Sequence, residues 1–161
     1  MITLPEQLAR LRYVSLVDTE RNRAAVHEAG HALVAARRGV RVAALELHGS
    51  DGAGGMRVHG APPELDRVWI LYAGPFAEKV VFGRLIPTVN PPELDELLLA
   101  HTLCRNLGIS DTTPIMDGVE QYLSRHRCRL ELVASRLLLA NTLSGAELDA
   151  LLQPTECAAL Q

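Results

Sequence analysis

The chain has 161 residues, 48% hydrophobic and 22% charged, which is enough apolar material for one folded core and excludes a disordered polyelectrolyte. Its formal net charge of −3 leaves no basic footprint and excludes nucleic-acid binding as a leading function. No apolar run reaches the ~18 residues a bilayer crossing needs, and MITLPEQLARLRYVSL at the N-terminus lacks a signal-peptide core, so a soluble, cytoplasmic protein with no membrane role is expected. The three cysteines, Cys104, Cys128 and Cys157, form no C-x-x-C pair and read as reduced thiols.

Aromatic residues are only 4%, and leucine and alanine dominate, which favours helices over sheets. Leu8, Leu11 and Val14 lie at helical spacing, so a short helix is expected over 5–17. Thr19 can cap a second helix, Glu20 complements its N-terminal dipole, and Arg37-Arg38-Gly39 gives a cationic last turn and a C′ glycine, which places it over 20–38. Residues 40–48 partly alternate and suggest a strand, 49–55 a glycine-rich turn, and 56–59 a second strand, together a small hairpin. An exposed edge of such a hairpin is a place where an extended peptide could add a strand. His48 and His59 at the strand ends read as surface histidines. A helix or helix pair follows over 63–82, with a kink or break expected near Gly74 because Pro75 is interior. Residues 84–92, with three prolines, read as a loop. A helix over 93–107 is stopped by Gly108. A long amphipathic stretch runs from 114 to about 140. Ser144 and Glu147 form a capping box for a short last helix over 145–152, and 153–161 reads as frayed.

Within the 20–38 helix, His27, Glu28 and His31 spell H-E-x-x-H. Residues i and i+4 share one face of a helix, so two imidazoles at that spacing can converge on one ion. The glutamate between them can act as general base on a water the ion polarises, the arrangement of zinc peptidases. The competing reading is a structural helix with two satisfied histidines. Gly30 costs about 1 kcal/mol inside a helix. Its place between the histidines implies that something approaches the backbone there.

Zinc held by two histidines needs at least one more protein ligand. Glu78, Glu93, Asp95 and Glu96 are the candidate carboxylates. Glu96 lies in line with Ala100, Leu103 and Leu107 on the inner stripe of its helix, where a carboxylate is costly unless paired or metal-bound. It is the first choice. Asp95, on a more mixed face, is the runner-up, and either acid could simply complement the helix dipole. Glu78 sits in an apolar segment and reads either as the acceptor of the far ring N–H of a ligating histidine or as an exposed acid beside Lys79. His101 falls more than one turn past Glu96 and is not expected to ligate.

These segments carry a family resemblance. RAAVHEAGHALV over 23–34 resembles the zinc-binding helix of the FtsH-type membrane-associated AAA proteases. YAGPFAEKVVFG over 72–83 is similar to that family's second signature. Residues 95–106 fall on the helix that opens with the family's aspartate ligand, and 114–152 resemble its C-terminal helical hairpin. The resemblance covers 19–152 and implies a mainly α, zincin-like helical bundle with a small β-hairpin after the HExxH helix. It implies zinc on His27, His31 and a third carboxylate, with Glu28 as base. Registered on Leu97, Ala100, Leu103 and Arg105, the family's aspartate falls on Glu96. Pro75 replaces the family's arginine, and the loop after the ligand helix is shorter.

The expectation is one peptidase-like domain over 1–161, a zinc metalloendopeptidase that cuts peptides or unfolded segments. Neither an ATPase module nor a membrane anchor is evident, so a separate ATPase or a homo-oligomer would have to deliver folded substrates. The alternative is a catalytically inactive peptidase-like domain that docks on a partner protein.

Overall fold

The computed structural model describes residues 16–49, 53–85 and 95–154. Most of the helix expected over 5–17, the middle of the glycine-rich turn, most of the 84–92 loop, Glu93, Cys157 and most of the 153–161 tail lie outside them, and residues 16 and 17 are not helical.

The centre of the fold is α1, Glu20–Arg37, capped by Thr19, whose side chain accepts the Asn22 N–H at 3.2 Å. Gly39, at φ +74°, ends the helix in a left-handed turn. Residues 24–35 of α1 are buried apart from His27, so α1 is surrounded rather than laid on a surface. Its alanines let neighbouring backbones come close. The nearest neighbour is α2, Glu64–Phe82. A Cβ on Gly30 would lie 2.5 Å from the Ala77 Cβ and 2.6 Å from the Ala73 carbonyl oxygen of α2, so the expected close approach is this helix crossing.

The α2 helix runs unbroken through Pro75, contrary to the expected break near Gly74. Proline removes one N–H donor. Burial of 72–78 against α1 holds the backbone helical across that gap. Gly83 closes α2 at φ +80°.

The sheet has three antiparallel strands in the order β2-β1-β3: β1 is Val42–His48, β2 Ala53–Val58 and β3 Thr142–Ser144. The hairpin is therefore present but tighter than expected: Ala53, Gly54 and Gly55 pair with His48, Leu47 and Glu46 as strand. On the other side of β1, Leu45 opposes Leu143, and both are fully buried. β3 arrives from across the chain because Asn141, at φ 62°, turns the backbone sharply.

Three further helices complete the core: α3, Glu96–Asn106; α4, Thr113–Arg125; and α5, Arg127–Ala140. The single stretch expected over 114–140 is thus two helices, broken at His126 where φ is −108° and ψ 23°. The break lets Leu123 and Leu130, on opposite sides of it, both bury fully. A last helix, α6, Gly145–Leu151, opens with the reciprocal Ser144–Glu147 capping box. The architecture is mainly helical with a small sheet, as the composition implies. Among the described residues no helix is long and apolar enough to cross a membrane.

Candidate metal centre

α1 presents His27 and His31 one turn apart, their ring centroids 4.6 Å from each other and nearly perpendicular. α3 starts beside them. Its N-cap is Asp95, whose carboxylate accepts the backbone N–H groups of Leu97 and Leu98 at 3.0 and 3.3 Å. Capping occupies Asp95, and the first helical residue, Glu96, turns its carboxylate toward α1. Glu96 Oε2 stands 2.8 Å from His27 Nε2, and Oε1 stands 3.1 Å from His31 Nε2. One donor atom from each of the three residues lies within 4.8 Å of the other two.

The far side of each ring is tied down. His27 Nδ1 donates to Glu78 Oε1 at 2.6 Å, and His31 Nδ1 donates to the Ile70 carbonyl at 2.7 Å. Each bond commits the Nδ1 proton outward and leaves Nε2 facing Glu96, with His31 Nε2 within hydrogen-bond distance of Oε1 at 3.1 Å. Lone pairs facing a carboxylate repel it unless a cation, proton or metal, stands between. Glu96 Oε2 has no hydrogen-bond partner although it is buried and close to His27 Nε2, so that approach lacks hydrogen-bond alignment.

Ionisation follows the same logic. Burial works to lower the His27 pKa, but the Glu78 and Glu96 carboxylates outweigh it and raise it to about 10. His31 is shifted upward likewise, burial opposing and Glu96 prevailing. Burial works to raise Glu96, and the two imidazoles pull it well below the ordinary carboxylate range. The same electrostatics that raise the two histidines favour a cation among these three side chains. Two imidazole nitrogens and one carboxylate, with an orphaned oxygen among them, match the donor set of a zinc site that keeps a position open.

Glu28 is 7% exposed and lies on the same helix face side as His31. Burial raises its pKa, Glu96 adds to the rise, and the neighbouring histidines oppose it. Gly54 of β2 packs against it: a Cβ there would fall 2.8 Å from Glu28 Cγ. A groove of about 260 Å³ opens over Glu28, His31 and Glu96, walled by Met56 and Val58 of β2 on one side and Ile70 and Leu71 of α2 on the other.

Sequence reasoning places His27, Glu28, His31, Glu96 and Glu78, and the fold brings all five together. It leaves out three contributors. Gly74 makes room for the His27 ring, since a Cβ there would lie 2.6 Å from Cε1. Gly54 does the same for Glu28. The Ile70 carbonyl is backbone, which no side-chain motif reveals. His101 stands apart from the centre, its Nδ1 2.6 Å from the Tyr72 hydroxyl. His48 is exposed, as expected, beside Glu46.

A buried H-E-x-x-H helix crossed by a carboxylate from a second helix defines the class of metallopeptidase-like domains. The chain belongs to the peptidase M50B-like family, whose model matches residues 11–104. The M50 peptidases are zinc metalloproteases and form the site-2 protease family, so the chain's family is this one and not the FtsH type that its motifs resemble. Two histidines at i and i+4 with a glutamate between them are what the ion requires, whichever family supplies the helix, so the motif alone does not separate the two families. The matched span includes α1, the hairpin, α2 and most of α3, and leaves out the C-terminal helices on which the other resemblance partly rested. No curated protein sequence matches the chain.

Proposed function

We propose that the protein is a zinc-dependent metalloendopeptidase acting on peptides or unfolded segments. The observation that carries this reading is the convergence of His27 Nε2, His31 Nε2 and the Glu96 carboxylate, with both Nδ1–H groups committed elsewhere. His27, His31 and Glu96 would hold zinc. When bound, zinc supplies a polarised water and a Lewis acid for a scissile carbonyl.

Glu28 takes the role of general base: it accepts a proton at its carboxylate and returns it to the leaving amine. Its raised pKa suits that task better than an ordinary exposed glutamate would. Glu78 and the Ile70 carbonyl orient the two imidazoles and keep their Nε2 atoms free. β2 is an outer strand of the sheet among the described residues, and its edge from Gly54 to Val58 offers backbone groups to an extended peptide beside Glu28. The apolar walls of the groove exclude water from the reacting bond.

An open groove of this size suits a flexible chain, so folded substrates would need delivery by a separate ATPase or by further copies of the chain. A cytoplasmic setting belongs to the same reading, supported by the buried Cys104, which is in no disulfide. The test is hydrolysis of a peptide library by the wild type, the chelator-treated protein and Glu28→Gln. Activity in the first alone, with about one zinc per chain in wild type and Glu28→Gln, supports the reading. Equal activity in all three overturns it, and zinc without any hydrolysis would instead favour the docking domain.

A further inference from the structure

Away from the metal centre, the last turn of α1, the first half of α2 and one face of α4 enclose a second cleft of about 840 Å³. Arg37 lies six residues beyond His31, about 9 Å further along the α1 axis. This cleft is positive on a chain whose net charge is negative. The acid lining it, Asp66, is neutralised by Arg38 at 2.6 Å. Arg37 and Arg125 also line it, both exposed, and neither has a carboxylate partner among the described residues.

His126, at the break between α4 and α5, is held below its ordinary value by burial and by Arg129, Arg125 and Arg37. Arg37 and Arg125 line the cleft together with His126. Trp69, Tyr122 and His126 add aromatic rings to its lining, beside Val34, Gly118 and Gln121. Tyr122 stacks obliquely on His126 at 4.5 Å, and Trp69 is half-buried with the Arg38 guanidinium 5.0 Å over its ring. Gly118 leaves space for the indole: a Cβ there would fall 2.6 Å from Trp69 Cη2.

An arginine fork matches an oxyanion, and two unpaired forks match more than one carboxylate's charge. The volume exceeds what a free phosphate fills and lies in the range of small-molecule sites. An aromatic wall next to an arginine corner suits a planar ring joined to phosphates. We propose that this cleft binds a nucleoside phosphate, its base beside Trp69 and Tyr122 and its phosphates on Arg37 and Arg125. The site stands independently of the peptidase reading.

Trp69 is the one tryptophan in the chain, so its fluorescence reports on the cleft directly. The 161-residue chain is titrated with ADP, with pyrophosphate and with adenosine, and each titration is repeated by calorimetry. A saturable change with ADP, weakened about tenfold in Arg37→Gln/Arg125→Gln and by rising salt, is the expected result. Pyrophosphate and adenosine should each bind more weakly than ADP. Absence of saturable binding by both methods, unchanged ADP binding in the double variant, or pyrophosphate or adenosine equalling ADP would overturn the proposal. Both arginines are exposed, and circular dichroism verifies that the double variant is folded.

Discussion

Glu78 and His27, fifty-one positions apart, meet at 2.6 Å between Oε1 and Nδ1, and this bond decides which nitrogen of His27 faces Glu96. A carboxylate behind a ligating imidazole fixes its tautomer and raises its basicity. Glu78→Gln should therefore lower zinc affinity about 10- to 100-fold while leaving the fold intact. Competition with a chromophoric chelator measures it. Unchanged affinity would show that Glu78 is only a packing residue.

Two glycines test how tightly the helices must cross. Gly74→Ala drives a methyl into the His27 ring, and Gly30→Ala drives one against the Ala73 carbonyl oxygen, which as backbone cannot swing away. Alanine gains about 1 kcal/mol of helix propensity over glycine. Overpacking a tight contact costs about 1–3 kcal/mol or more. The contact term should win, so both variants melt below wild type. Gly55→Ala, with only the His48 ring tip at 3.9 Å, should stay within about 0.5 kcal/mol. Thermal unfolding of the three variants decides it, and stabilisation by Gly30→Ala would contradict the crossing.

The metal-free protein carries a pH signature. The His27 pKa rises from 6.5 to about 10, because Glu78 and Glu96 outweigh burial. A histidine raised on folding contributes stability that is fully present below pH 6.5 and is lost as pH rises through about 10. The chelator-treated protein should therefore lose stability across that window, and Glu96→Gln should flatten the loss. Denaturant midpoints at a series of pH values measure it. A flat profile in the metal-free wild type would contradict the ion-pair geometry.

Activity should fall in acid for a separate reason. Glu28 must be ionised to accept a proton, and burial raises its pKa above the ordinary 4.5. The acid limb of kcat should lie above that value and vanish, with the activity, in Glu28→Gln. An acid limb at the ordinary value would mean that Glu28 is solvated in the working enzyme.

Much of this was legible in residues that do one thing. Thr19 and Gly39 bracket α1, the i, i+4 spacing sets the histidines, and the inner stripe of α3 singles out Glu96 over Asp95. The rest depends on contacts distant in sequence. Thr142-Leu143-Ser144 is too short to show alternation, and only β1 makes it a strand. Gly54 and Gly55 look like a turn by composition, yet they pair with β1 because the backbone must lie against Glu28. The break at His126 carries no proline or glycine to announce it; burial of Leu123 and Leu130 on either side produces it. The HExxH segment was the most readable and the least discriminating part, since the chemistry of the ion dictates it.

The central claim is that His27, His31 and Glu96 hold one zinc ion. Crystals of the zinc-loaded protein, measured at the zinc absorption edge, test it most directly. The account predicts a single anomalous peak bounded by the two Nε2 atoms and the Glu96 carboxylate. No peak there, or a peak whose carboxylate ligand is not Glu96, would contradict it.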